Sequence, residues 1–226
     1  MNAGDATEPA DAILAAAYAL EGPDANRGLY ARWADTYDSG FVVDSRYHYP
    51  EQVANVFAAH GLHGFGPGDV VADIGCGTGL GGQALRHQRS IAIDGIDISL
   101  EMLARAAAKE HEGSRVYRTL IEADLTQRIP VEDGTYAGAM SAGTFTHGHV
   151  GPQALTEVIR IIRPGGRAAI GINAAHFAAA DFGAALDLLV RDGHIAHLQL
   201  IDAPIYAEAD MTDPDQVAHI AVFSVT

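Results

Sequence analysis

VVADIGCGTGLGGQAL, from Val70 to Leu85, reads as a buried strand running straight into a glycine-rich turn and then a helix. Val70, Val71 and Ala72 with Ile74 suit a strand covered on both faces. Gly75, Gly77 and Gly79 remove the Cβ atoms that would hold a ligand away from the backbone. The helix that follows presents free N–H groups and the positive end of its dipole, so the turn is a seat for a phosphate-like or amino-acid-like group.

Outward from that turn, strands and helices alternate. Strands are expected at 69–74, 91–97, 115–122, 135–141, 166–173, 197–203 and 217–225, and helices at 80–88, 99–111, 152–162 and 178–192. Strands spaced by helices give a mostly parallel sheet covered on both faces. PIYAEADMTDPDQ, between the last two strands, shows no helical pattern, so the sheet is expected to close on an antiparallel hairpin. Upstream, Ala10 to Leu20 is alanine-rich and expected to be helical, Glu21 to Asp24 breaks it, and Pro50 opens a helix through His60 with Val53, Val56 and Phe57 on one face. Between these, Tyr30, Tyr37, Tyr47, Tyr49 and the only tryptophan, Trp33, crowd into one short stretch.

With 226 residues, 48% of them apolar, the chain can bury one substantial core, and two full domains would be cramped. Its formal net charge is −15, and full protonation of the 11 histidines leaves it negative, so a phosphate backbone would be repelled and nucleic acid is not expected as a partner. The single cysteine excludes an internal disulfide, no apolar run reaches membrane-spanning length, and no basic residue precedes the first apolar stretch; a cytoplasmic protein, monomer or homodimer, is expected.

Taken alone, the turn leaves its ligand open, because Gly77, Gly79 and Gly82 also satisfy the G-x-G-x-x-G of dinucleotide-binding folds. Three acids bear on the choice. Asp73 stands at the end of the first strand, Asp97 at the end of the second, where ribose hydroxyls would lie, and Asp124 at the end of the third, where it could accept from an adenine amine. Asp94 competes with Asp97. Acidic ends on successive strands suit a cationic nucleoside bearing an amino acid better than a phosphate.

ADIGCGTG (72–79), GIDISLEML (95–103), EADL (122–125) and RIIRPGGRAAI (160–170) in this order resemble the class I S-adenosylmethionine-dependent methyltransferases over about residues 69–173. The resemblance implies a Rossmann-like α/β fold, with a seven-stranded mostly parallel sheet, a C-terminal antiparallel hairpin and helices on both faces. It also implies S-adenosylmethionine as cofactor and a small-molecule methyl acceptor as partner. Matched residue by residue, it places Gly75, Cys76, Gly77 and Gly79 around the methionine part and Asp73 at its amino end. Asp97 would hold the ribose, Ile98 and Met102 would flank the adenine, Asp124 and Leu125 would meet its amino edge, and Ser141 would lie under the sulfur. LYARWADTYD (29–38) is similar to a segment of a subgroup of small methyltransferases, the Williams–Beuren-region-like ones, where it forms a lid. That implies Tyr30 and Tyr37 near the cofactor carboxylate and Trp33 as a seal. Residues 1–64 would then be a helical extension and lid, and 65–226 the cofactor-binding domain.

Each candidate has a plainer reading. Tyr30, Trp33 and Tyr37 share one helical face and could be core packing. Cys76 has no base beside it in sequence and reads as a small buried residue rather than a nucleophile. In SAGTFTHGHVGP (141–152), where an acceptor enters in this family, His147 is the leading candidate base, with Tyr37 also a catalytic candidate and Thr144 or Thr146 as positioning groups. His147 and His149 lack Cys or carboxylate neighbours, so no metal site is expected. A neutral or cationic acceptor taking the methyl on oxygen or nitrogen is expected. An NAD(P)-binding oxidoreductase and a non-methylating S-adenosylmethionine-binding protein are the alternatives.

Overall fold

Alternation along one strand sets the layers. In β1 (Val70–Ile74) every residue is buried; Val70, Ala72 and Ile74 pack into one core and Val71 into another, as the period of two requires. The computed structural model describes residues 23–34, 37–62 and 64–226. β1 pairs in parallel with β2 (Ala92–Asp97) and β4 (Tyr136–Phe145), β2 with β3 (Thr119–Glu122), and β4 with β5 (Ile162–Asn173). β7 (Val217–Val225) runs antiparallel to both β5 and β6 (Ile195–Pro204), completing a seven-stranded sheet of order β3-β2-β1-β4-β5-β7-β6. This is the Rossmann-like arrangement expected, antiparallel hairpin included.

Helices cover both faces. α6 (Leu155–Ile161) and α8 (Phe182–Arg191) send Leu155, Val158, Ile161, Phe182 and Leu186 into the core that holds Ile74. α3 (Tyr49–Val56), α4 (Leu80–Gln88) and α5 (Leu100–Ala107) build the core around Val71, with Val53, Leu85 and Leu103. A third cluster unites Leu29 and Trp33 of α1 (Pro23–Trp33), Phe41 of the short α2 (Phe41–Asp44) and Met102 of α5. Among the described residues no helix is long and apolar enough to cross a membrane.

Several boundaries differ from expectation. The helix expected at Ala10–Leu20 lies outside the described residues. α1 begins at Pro23, inside the expected break, because a proline's fixed φ suits a first helical turn. The helix from Pro50 changes at Phe57 into a π-helical turn through Gly61, and Val56 is only half-buried where Val53 and Phe57 are fully buried. α5 stops at Ala107, short of 111, and a small hairpin pairs Glu110–His111 with Ser114–Arg115 across left-handed Glu112 and Gly113. β3 is confined to Thr119–Glu122, while Val116 and Tyr117, expected in that strand, are buried beside α4 and α5. The helix expected at 178–192 is interrupted at Asp181, whose φ of 55° separates α7 (Ala174–Ala179) from α8. β4 runs past 141, through a register shift between Ser141 and Phe145.

Candidate functional site

The strand ends of β1, β2 and β4 converge, and the chain leaving β1 must turn at once to start α4. Gly77 makes this possible: its φ of +53° is a conformation L side chains rarely adopt, and a Cβ there would meet nothing within 4 Å, so open space lies over the turn. Gly79, at φ +95°, precedes α4 as its N-terminal cap. Cys76 N–H donates to the Ile96 carbonyl at 3.1 Å, which fixes the turn against β2.

Asp97, at the end of β2, accepts the backbone N–H of Gly77 at 2.8 Å and that of Ser99 at 2.9 Å. One carboxylate thus holds the glycine turn and the start of α5 together, while burial raises its pKa. Asp73 points to the Val71 side of the sheet, accepts the Tyr117 hydroxyl hydrogen at 2.7 Å, and is pushed up to about 7 by burial. Asp94 is settled elsewhere. Arg118 grips it through Nε at 2.9 Å and Nη2 at 2.6 Å, and Tyr136 adds a third donor at 3.3 Å, so only Asp97 of the two competing acids reaches the cavity.

That cavity gathers Tyr30, Tyr37, Asp73, Gly75, Cys76, Gly77, Asp97, Ile98, Met102, Asp124 and Leu125 from the expected set. Four others lie elsewhere. Gly79 turns its α-carbon toward Tyr117 and Lys109, as the cap of α4 must. Ser141 is fully buried and donates to the Ile74 carbonyl at 2.8 Å, a bond that ties β4 to β1. Trp33 faces an adjoining chamber. His147, the expected base, is outside both cavities: its Nε2 lies 3.8 Å from an Asp215 oxygen and its ring packs on His176, with centroids 5.2 Å apart. The register shift in β4 re-aims the following loop, and His149 takes the position at the cavity. The Cys76 thiol is buried and raised well above its ordinary value, as an inert packing group would be.

The adjoining chamber is aromatic. Trp33, Phe41, Tyr49 and Tyr206 line it, and Tyr30, Tyr37, Tyr47, Gly143 and His149 belong to both spaces. Phe145, Thr146, Asn173 and Ile205 also line it. No lysine or arginine lines either space among the described residues. No cluster of three or more His, Cys, Asp and Glu able to hold a metal occurs among them either.

Sequence reasoning missed how the N-terminal segment is held down. Asp38 accepts from Thr78 Oγ1 of the glycine turn and from Lys109 Nζ, each at 2.6 Å. Farther along, Tyr47 bridges Tyr206, Arg46 pairs with Glu208, and the Arg46 carbonyl accepts the Ala207 N–H at 3.1 Å. The segment is therefore fastened at both the turn and the β6–β7 loop.

The donor set fits S-adenosylmethionine. It combines a glycine turn open above Gly77, a buried carboxylate (Asp73) and a partly buried one (Asp97) at two strand ends for amino and hydroxyl groups, and apolar Ile98, Met102 and Leu125 for a base.

Comparison with known proteins agrees. Residues 71–166 match the family model of a methyltransferase domain. Human methyltransferase-like protein 27 is 30% identical over 139 residues, covering 61% of this chain and 54% of the relative. Demethylmenaquinone methyltransferase of Symbiobacterium thermophilum is 31% identical over 147 residues, covering 62% and 56%. The chain thus spans about half the length of these curated relatives. Among solved structures, a chain of the complex between the Haloferax volcanii Trm112 methyltransferase activator and a methyltransferase superposes with a TM-score of 0.60 at 19% identity, over 87% of this chain and 97% of that one. Fold, glycine turn and family model agree: within a Rossmann-like fold shared with solved methyltransferase structures, residues 71–166 are similar to a methyltransferase domain.

Proposed function

We propose that the protein transfers a methyl group from S-adenosylmethionine to a small organic acceptor seated in the aromatic chamber. The observation that carries this reading is the continuity of the two spaces: Tyr30, Tyr37, Tyr47, Gly143 and His149 line both, so a donor over the glycine turn and an acceptor in the chamber would meet there. The methyl group of a sulfonium is already activated, so the task left to the protein is to hold an acceptor atom in line with it and exclude water.

Asp73 would bind the ammonium of the cofactor, Gly75 to Gly77 would let its carboxylate approach the backbone, and Asp97 would accept from the ribose hydroxyls. Ile98, Met102 and Leu125 would enclose the adenine, with Asp124 at its amino edge. Residues 23–34 and 37–62 would serve as the cover: Trp33 closes the chamber, and Asp38 pins the segment to the turn. With no lysine or arginine among the described lining residues, an anionic acceptor finds no clamp, so a neutral or cationic molecule methylated on oxygen or nitrogen fits best.

Calorimetry with S-adenosylmethionine, S-adenosylhomocysteine and NAD tests the cofactor. Binding of the first two alone is expected, and binding of NAD alone would overturn the proposal in favour of an oxidoreductase. Labelled methyl donor with a panel of phenols and amines then tests transfer, and retention of all label on the donor would leave a protein that binds S-adenosylmethionine without methylating.

A further inference from the structure

His149 lines both spaces at their junction. Its Nδ1 lies 2.8 Å from the His147 carbonyl oxygen, which can only accept, so in the neutral ring Nδ1 carries the hydrogen and Nε2 the lone pair. The Tyr30 hydroxyl oxygen is 2.9 Å from Nε2 and therefore donates to it. Tyr30 also lines both spaces, yet it comes from α1, on the N-terminal segment.

We propose that Tyr30 and His149 form a proton relay for a hydroxyl acceptor, and that the chamber takes a phenol-type ring. This deepens the methyltransferase reading and rests on it. The walls of the chamber are flat faces, Trp33, Tyr37, Phe41 and Tyr206 among them, which suit an aromatic guest through offset and edge contacts. No carboxylate lines the chamber among the described residues, so an ammonium guest would lack a counter-ion there. A hydroxyl has a further need that an amine lacks: its proton must leave as the oxygen takes the methyl group, and the relay supplies a place for it.

In that step the acceptor O–H bond breaks and its electron pair stays on oxygen, which bonds to the methyl carbon while the carbon–sulfur pair leaves on sulfur. The proton passes to Tyr30 Oη, and the proton Tyr30 held passes to His149 Nε2. One positive charge is present before, on the sulfonium, and one after, on the imidazolium. Burial and nearby His176 keep the His149 imidazole below the ordinary histidine value, so the free base persists at neutral pH. Such a weak base suffices because an oxygen bonding to a methyl group becomes strongly acidic. Among the described residues, Tyr37, Tyr47 and Tyr49 from the N-terminal segment and α3, Tyr206 of the β6–β7 loop, His147 on the same loop and His176 on α7 are other titratable groups around it. Since Tyr30 arrives with α1, the relay is complete only when that helix is docked.

The test uses 4-nitrophenol, whose ionised form is coloured, with the full chain and S-adenosylhomocysteine. Absorbance gives the ionisation midpoint of the bound phenol in the wild type, Tyr30→Phe and His149→Gln, and quenching of Trp33 gives its binding. The wild-type midpoint is expected to lie lower than in either variant by about one pH unit, because only there can the proton of the bound phenol pass through Tyr30 to His149 Nε2. Calorimetric affinity for S-adenosylhomocysteine is measured for each of the three, so that the midpoints are compared at saturation. Equal midpoints, or no quenching by 4-nitrophenol in the wild type, would overturn the proposal. If His149→Gln does not fold, Tyr30→Phe, which removes one oxygen atom, decides. Failure of the wild type to bind S-adenosylhomocysteine would remove the methyltransferase reading and the relay with it, whereas equal midpoints with that binding intact remove the relay alone.

Discussion

Tyr117 donates its hydroxyl hydrogen to Asp73 across 2.7 Å, joining the loop before β3 to the end of β1 beneath the glycine turn. Burial is the larger influence on the carboxyl, raising it from 3.8 to about 7, while Tyr117 and the Gly82 N–H pull it down. The folded state thus holds a proton there that the unfolded chain has lost, so stability falls as pH rises through that window. The wild-type melting temperature should drop between about pH 4 and pH 7, and Asp73→Asn should drop less, both read by calorimetric melts. Parallel curves would refute this.

Cofactor affinity should run the other way. The ionised carboxylate is the form that would hold an ammonium, so S-adenosylmethionine is expected to bind about tenfold more tightly at pH 8 than at pH 6. In Asp73→Asn the titration curve should be weaker throughout and flatter.

Asp94 and Asp97 should separate cleanly under mutation. Asp94→Ala leaves Arg118 and Tyr136 without their acceptor and should cost about 2 kcal/mol of stability, with S-adenosylhomocysteine affinity of the folded protein little changed. Asp97→Ala frees the turn at Gly77 and removes an acceptor from the cavity, so affinity should fall by about tenfold or more. Denaturant melts and calorimetry on the same preparations would show either pattern, and a reversed one would reassign the ribose to Asp94.

His147→Ala should leave turnover near wild type, because that ring stands against His176 and Asp215 outside both spaces. The His147 group that bonds His149 is its main-chain carbonyl, and alanine retains it. A large loss of turnover with unchanged cofactor binding would restore the side chain to the chemistry.

Asp38→Ala should speed release of S-adenosylhomocysteine, by about tenfold in stopped-flow displacement, while costing less than about 1 kcal/mol of stability, since the pair it breaks with Lys109 is partly exposed. An unchanged release rate would show that the segment does not hold the cofactor in.

The strand and turn at 70–85 were legible because their signal is local: unbroken apolar residues, then five glycines in eight positions. The same is true of Asp97, which ends an apolar run. What was hidden depends on contacts distant in sequence. Tyr117 was assigned to a strand, since its neighbours are β-formers, but it leaves the sheet to reach Asp73. His147 and His149 are indistinguishable by pattern, and the register shift within β4 decides which one meets the cavity. Helical spacing placed Trp33 with Tyr30 but could not divide them between two spaces. Asp38, an acid in a loop, gives no sign of a partner 71 residues away.

Lys109 is the only lysine in the sequence, and its ammonium sits 2.6 Å from Asp38. Side-chain amine chemistry therefore has a single address on this molecule, and that address is the pair that fastens the N-terminal segment to the glycine turn. Acylation there would erase the charge that Asp38 faces without touching any group that lines the two spaces, so one covalent label at one atom would loosen that segment and report on it at once.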